Sequence, residues 1–140
     1  MPLKMTLNEL QSFLGEVFPQ VAGEFAIDSL EENAISLRLL VGEKHLRPGG
    51  TVSGPSMFAL ADVSIYLVTL AMIGPKALAV TTNCSIDFMR KPVAGADIRA
   101  EGRLLKLGRA LAVGDVLLYS VGDDRPVARA SLTYSIPPSG

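Results

Sequence analysis

From Met57 to Ile73 the chain carries a single charged residue, Asp62. That stretch decides most of what the chain can fold into. It is slightly short for a bilayer span, which needs about 20 apolar residues, and Asp62, Ser64 and Thr69 interrupt it. It reads as the buried helix of a core. A carboxylate in apolar surroundings costs free energy unless it is paired or used. Just before the run comes a helix-start signal, Gly50-Thr51-Val52-Ser53-Gly54-Pro55-Ser56. Pro55 suits the first helical position, where a missing N–H costs nothing. A helix start offers free N–H groups to a polarised oxygen. A base and an oxyanion donor are what acyl-transfer chemistry needs. The bland alternatives are a buried acid bonded to a nearby Ser or Thr, kept for packing, and a helix start that is only a helix start.

Around this helix the pattern alternates. Leu7, Leu10, Phe13, Leu14, Val17 and Phe18 recur at helical spacing up to Pro19, predicting a short amphipathic helix. Segments 24–30 and 34–41 predict two strands joined at Glu31-Glu32-Asn33. Gly74-Pro75 ends the long helix. Four strands are predicted after it, at 78–89, from Asp97, at 111–121 and at 127–136, before a tail at 137–140. In the strand from Asp97, Ile98, Ala100, Gly102 and Leu104 alternate with charged residues, so one of its faces meets water. The order predicts an α+β fold, an antiparallel sheet with its one long helix on a face. The helix is apolar on more than one side. A single sheet covers only one, which points to a partner chain on the other.

At 140 residues with 49% hydrophobic and 19% charged residues, one globular domain is expected over 1–140. The formal charge of -1 supplies no basic surplus for nucleic acid. Cys84 is the only cysteine, so no internal disulfide forms, and a small buried hydrophobe is its expected role. The N-terminus lacks the apolar block of a signal peptide, so a soluble cytoplasmic protein with no membrane role is expected. No second His or paired Cys accompanies His45, so no metal is expected. Ser56 does not sit in a Gly-x-Ser-x-Gly elbow.

The segment His45-Leu46-Arg47-Pro48-Gly49-Gly50-Thr51-Val52-Ser53-Gly54-Pro55-Ser56-Met57-Phe58-Ala59-Leu60-Ala61-Asp62 resembles the signature of hotdog-fold acyl-CoA thioesterases of the phenylacetate-degradation (PaaI) type. There a His-Gly-Gly triplet opens the central helix, and an Asp or Glu follows eight residues after the first Gly. Asn83 to Pro92 resembles the family's next strand, and Leu104 to Arg109 its turn near CoA. The resemblance covers 24–136. It implies a hotdog fold, an antiparallel sheet wrapped around one long central helix with a short N-terminal helix added. It implies that Gly54 donates its N–H to the thioester carbonyl and that Asp62 activates water or attacks directly. Thr81 would help hold water or substrate. Arg47, Ser53, Asn83, Phe88, Lys106, Gly108 and Arg109 would line the substrate path, with Arg109 meeting CoA phosphates. Tyr66, one helical turn beyond Asp62 on the same face, is read from its spacing either to flank the substrate or to pack in the core. CoA would enter as part of the substrate, with no retained cofactor. Here Ser53 stands for the family's His, Pro55 for its second Gly, and Arg47 for a common Asn or Gln. Pro55 has no N–H, which leaves Gly54 or Ser56 as donor.

Eight residues of helix rise about 12 Å. Gly54 and Asp62 of one helix therefore cannot both reach one carbonyl carbon. If both act, they come from two antiparallel helices, which makes a homodimer the minimal unit; a homotetramer is expected. Two rivals stay open: a non-catalytic acyl-CoA binding module, and a hydratase or dehydratase on the same fold. Those reactions usually pair a His with an acid, and the single His45 lies outside the helix.

Overall fold

The computed structural model describes residues 2–138; Met1 and the tail residues Ser139 and Gly140 lie outside them. The chain runs α1 (Leu7–Val17), β1 (Phe25–Glu31), β2 (Ala34–Leu39), α2 (Gly54–Ile73), β3 (Val80–Phe88), β4 (Ile98–Leu107), β5 (Leu111–Ser120) and β6 (Ala128–Ser135). The predicted elements are all present, each within a few residues of its expected ends. α1 starts on a capping box in which Thr6 Oγ1 accepts from Glu9 N–H and Glu9 accepts from Thr6 N–H. α2 starts on Ser53 and ends at Gly74, whose φ of 97° suits a residue without Cβ.

The strands form one antiparallel sheet in the order β1-β2-β4-β5-β6-β3. Ile98, Ala100, Gly102 and Leu104 of β4 face inward, as their alternation predicts. They pack against α2, with Ala112, Val116 and Leu118 of β5 beside them. The helix lies very close to the sheet at Gly114. A Cβ there would stand 2.7 Å from both Arg103 O and Ile65 Cδ1. Gly114→Ala is expected to lower unfolding stability by about 1–3 kcal/mol, the usual cost of overpacking. An unchanged denaturation midpoint would show that the helix has slack at this point.

The helix is covered differently from the sequence expectation. Every position from Ser64 to Met72 is buried inside this one chain. The sheet curls around one side, and α1 closes the other with Leu10 and Leu14, both 0% exposed. The segment before α1 adds Met5 and a hydrogen bond from Lys4 N–H to Ala71 O of 2.7 Å. Apolarity of this half thus reflects the chain's own wrap and needs no partner. By length and composition α2 could cross a bilayer, but 67% of its most apolar window is buried in the fold. What stays open is the first half, where Phe58 and Ala59 are exposed and Asp62 and Val63 half-buried. The outer edge of β3 is also open, since β3 pairs only with β6. Leu78, Val80, Phe88 and Met89 are exposed at its two ends.

Candidate active site

The start of α2 is held by a short return of the chain. Arg47 N–H donates to Thr51 O, Leu46 bridges Val52, and Ser53 N–H donates to His45 O. At the helix start the donors sort themselves out. Ser56 N–H donates to Ser53 Oγ (3.3 Å) and Met57 N–H to Ser53 O. Pro55 has no N–H. Gly54 N–H finds no acceptor among the described residues and is the free donor of this turn. The Phe88 ring lies over Gly54, with Cζ 3.2 Å from where a Cβ would stand. A side chain at position 54 would have to displace that ring.

Two turns further along, Asp62 is half-buried and doubly held. Thr81 Oγ1 donates to Asp62 Oδ1 at 2.6 Å, and Tyr134 Oη donates to the same oxygen at 2.7 Å. Tyr134 Oη also lies 3.1 Å from the Asp62 carbonyl oxygen. Asp62 Oδ2 has no hydrogen-bond partner among the described residues. Burial first, and then the negative charge of Asp62, push the Tyr134 phenol far up from its ordinary value. It therefore stays protonated and donates. Cys84, half-buried on β3, has its thiol raised by burial and then by the same carboxylate. A raised thiol is a poor nucleophile at neutral pH, in keeping with a small buried hydrophobe.

Thr81 and Asp62 are thus brought together, while Gly54 lies about 12 Å away along the same helix. Tyr66 is buried among aromatic rings: its centroid is 5.9 Å from those of Phe18 and Tyr134, and its hydroxyl donates to Ala77 O. Its phenol therefore does not face Asp62. Asn83 is exposed on β3, just past a bulge after Thr81. Lys106, half-buried Gly108 and exposed Arg109 lie at the β4–β5 turn. Leu107, Ala112, Tyr134 and Thr81 form one row across β4, β5, β6 and β3. That turn therefore sits at the Asp62 end of the sheet, three strand spacings or about 14 Å away from β3. Arg47 is exposed beside the helix start. Tyr134 escaped the sequence reading because it joins Asp62 from the last strand. The signal was there: Ala128, Ala130, Leu132 and Tyr134 alternate inward on β6, and Tyr134 alone carries a polar group.

His45 is 6% exposed and lies away from Asp62 in a network of its own. Gly42 N–H donates to Nδ1 (2.8 Å), so Nε2 carries the proton and donates to Glu24 Oε1 (2.6 Å). Lys44 Nζ adds a bond to Glu24 Oε2 at 3.0 Å. The bond from His45 holds the Glu24 carboxyl below its ordinary value, against a desolvation cost that acts the other way; Lys44 adds to the lowering. A depressed carboxylate contributes stability above its unfolded value, near pH 4.5. That contribution is lost as pH falls through the lower folded value. Glu24→Gln is therefore expected to destabilise at pH 7 and to flatten the acid end of the stability–pH curve. Urea melts from pH 3 to pH 7 check this; parallel wild-type and variant curves would contradict it.

An antiparallel sheet wrapped on a central helix, with a lone carboxylate inside that helix, is the hotdog thioesterase arrangement. The thioesterase superfamily model matches residues 49–127, and the chain belongs to that family. The crystal structure of a "putative thioesterase" from Silicibacter sp. TM1040 is 62% identical, covers 99% of this chain and 96% of its own, and superposes with a TM-score of 0.93. The protein named "Putative esterase PA0474" from Pseudomonas aeruginosa is 31% identical over 79% of each chain. The N33D mutant of the phenylacetic acid degradation protein PaaI of Thermus thermophilus is 28% identical over 85% of this chain and 99% of its own, with a TM-score of 0.73. Smu.793 of Streptococcus mutans UA159, solved with acetyl CoA bound, is 27% identical over 82% of this chain and 90% of its own, with a TM-score of 0.71.

Proposed function

We propose that this chain hydrolyses an acyl-CoA thioester to the free acid and CoA, at sites shared between two copies. The observation that carries the reading is the Asp62 carboxylate, fixed through one oxygen by Thr81 and Tyr134 and open at the other. Asp62 draws a proton from water as the water oxygen bonds to the thioester carbonyl carbon. The carbonyl π pair moves onto oxygen and is met by the free Gly54 N–H. Collapse of the intermediate breaks the C–S bond, and the proton held by Asp62 goes to the departing thiolate. A direct attack by Asp62 reaches the same products through an anhydride that water then opens. The bound acetyl CoA of the Streptococcus protein supports CoA as the carrier. Arg109 and Lys106, at the Asp62 end of the sheet, would meet its phosphates.

Two copies follow from reach. In each chain the Phe88 end of β3 packs on Gly54, and the Thr81 end holds Asp62. Two β3 edges paired antiparallel about Cys84, midway along the strand, would set the Thr81–Asp62 end of one copy against the Phe88–Gly54 end of the other. That pairing would also cover the exposed apolar residues at the ends of β3. Association of two such dimers would give the expected tetramer. The single unpaired Cys84 suits a reducing, cytoplasmic setting. The hydratase alternative loses ground because both ring nitrogens of His45 are already engaged.

Free-thiol release over an acyl-CoA panel tests the reading. Release with at least one member is the expected result. Tight binding with no release would favour the binding module instead. Label found in Asp62 after a single turnover in oxygen-18 water would identify the nucleophilic route with the anhydride opened at the Asp62 carboxyl carbon, since the general-base route sends all label to the free acid.

A further inference from the structure

We infer that Tyr134 is a positioning residue which, with Thr81, pins Asp62 Oδ1 and leaves Oδ2 as the one oxygen that acts. This rests on the thioesterase reading above. The geometry is specific. Two hydroxyls from different strands, Thr81 on β3 and Tyr134 on β6, converge on one carboxylate oxygen at 2.6 and 2.7 Å. A carboxylate oxygen has two lone-pair sites, so Oδ1 is fully used and Oδ2 is not. A carboxylate held by one donor can still turn about Cβ–Cγ and exchange its oxygens; two donors on one oxygen from two strands prevent that. The Tyr134 side chain is itself fixed. It is 3% exposed, packs at a tilt against the Tyr66 ring with a centroid distance of 5.9 Å, and its hydroxyl reaches the Asp62 backbone carbonyl as well as the side chain. Tyr134 thus reads both the rotamer of Asp62 and the helix that carries it.

The chemistry assigned to Oδ2 balances. Oδ2 takes one proton from the attacking water, the new C–O bond forms, the C–S bond breaks, and the proton on Oδ2 passes to sulfur. Oδ1 keeps its two hydrogen bonds throughout. Tyr134 never bonds to substrate and transfers no proton. In the nucleophilic variant Oδ2 forms the bond to carbon, and Thr81 and Tyr134 face the oxygen that becomes charged when water opens the anhydride.

Removal of the phenol hydroxyl tests this. Tyr134→Phe keeps the ring and deletes only the donor. Its kcat should fall about tenfold, the value of one hydrogen bond to a charged group, with KM within about twofold of wild type. Thr81→Val should fall similarly and Thr81→Ser should recover most of the loss. The double variant Tyr134→Phe, Thr81→Val should approach Asp62→Asn. An unchanged kcat in folded Tyr134→Phe, beside an inactive Asp62→Asn, would overturn the inference and leave the thioesterase reading standing. Undiminished release by Asp62→Asn would instead sink that reading. A second readout on the intact protein covers the case in which Tyr134→Phe fails to fold. The Tyr134 hydroxyl proton should be protected from exchange and shifted far downfield in its NMR spectrum, and should move upfield in Asp62→Asn. A fast-exchanging hydroxyl, insensitive to Asp62, would overturn the inference by itself.

Discussion

Asp62→Asn is expected to abolish thiol release, with a fall in kcat of about 10²–10⁴-fold, the range for a lost general base. The substitution is nearly isosteric. Its amide oxygen can still accept from Thr81 Oγ1 and Tyr134 Oη, so the three-way contact that ties α2 to β3 and β6 survives. What disappears is the negative charge and the ability to take a proton or attack carbon. A folded, ligand-binding but inactive Asp62→Asn is therefore the expected product. The measurement is kcat and KM on the best acyl-CoA, with a thermal melt beside it. If the melt is unchanged and release persists, the carboxylate is a structural element after all. That was the bland reading of its sequence surroundings.

The second large effect concerns the shared site, and it comes from mixing two dead variants. Gly54→Pro removes the free N–H at the helix start. Proline is tolerated at the first helical position, and Ser53 before it is already extended, with ψ at 154°. The proline Cβ would press on the Phe88 ring, which is half exposed and has to give by a few tenths of an ångström. Loss of the oxyanion donor should cost about 10²–10³-fold in kcat. Asp62→Asn is inactive for its own reason. If Gly54 and Asp62 of different copies form each site, a mixed dimer regains one intact site. Random re-association of equal amounts then restores about a quarter of the wild-type activity. If each site lies within one chain, every site in the mixture is broken and nothing returns. Activity that stays at the level of the separate variants after verified subunit exchange would remove the two-chain proposal.

Much of the arrangement was legible before any coordinates. Periodicity gave the short helix and the half-exposed strand, because apolar positions repeat at 3.6 residues in Leu7–Val17 and at two in Ile98–Leu104; the long helix and the other strands came from apolar runs bounded by Gly, Pro and turn residues. Local chemistry gave the helix start: a serine cap, a proline and a glycine can be read without knowing what lies across the sheet. What surrounded the second half of α2 could not be read. Uniform apolarity is the same whether a partner chain or the chain's own N-terminal segment does the covering, and here α1 and Met5 do it. The role of Tyr66 was not legible either. One helical turn from Asp62 fits flanking the site as well as packing, and the structure turns its hydroxyl to Ala77 O.

The sequence by itself determined which residue is out of place, Asp62 in an apolar helix, and narrowed the backbone donor to Gly54 or Ser56. Both are properties of short stretches of chain, where spacing and residue type act directly. The structure ties Ser56 N–H to Ser53 Oγ and leaves Gly54. Only the tertiary structure decided what holds the acid and which of its oxygens is open. Thr81 and Tyr134 come from opposite ends of the second half of the chain and meet Asp62 only when β3 pairs with β6. Hydrogen bonds of that kind depend on strand register, and register is set by the packing of a whole sheet face rather than by any local run of residues.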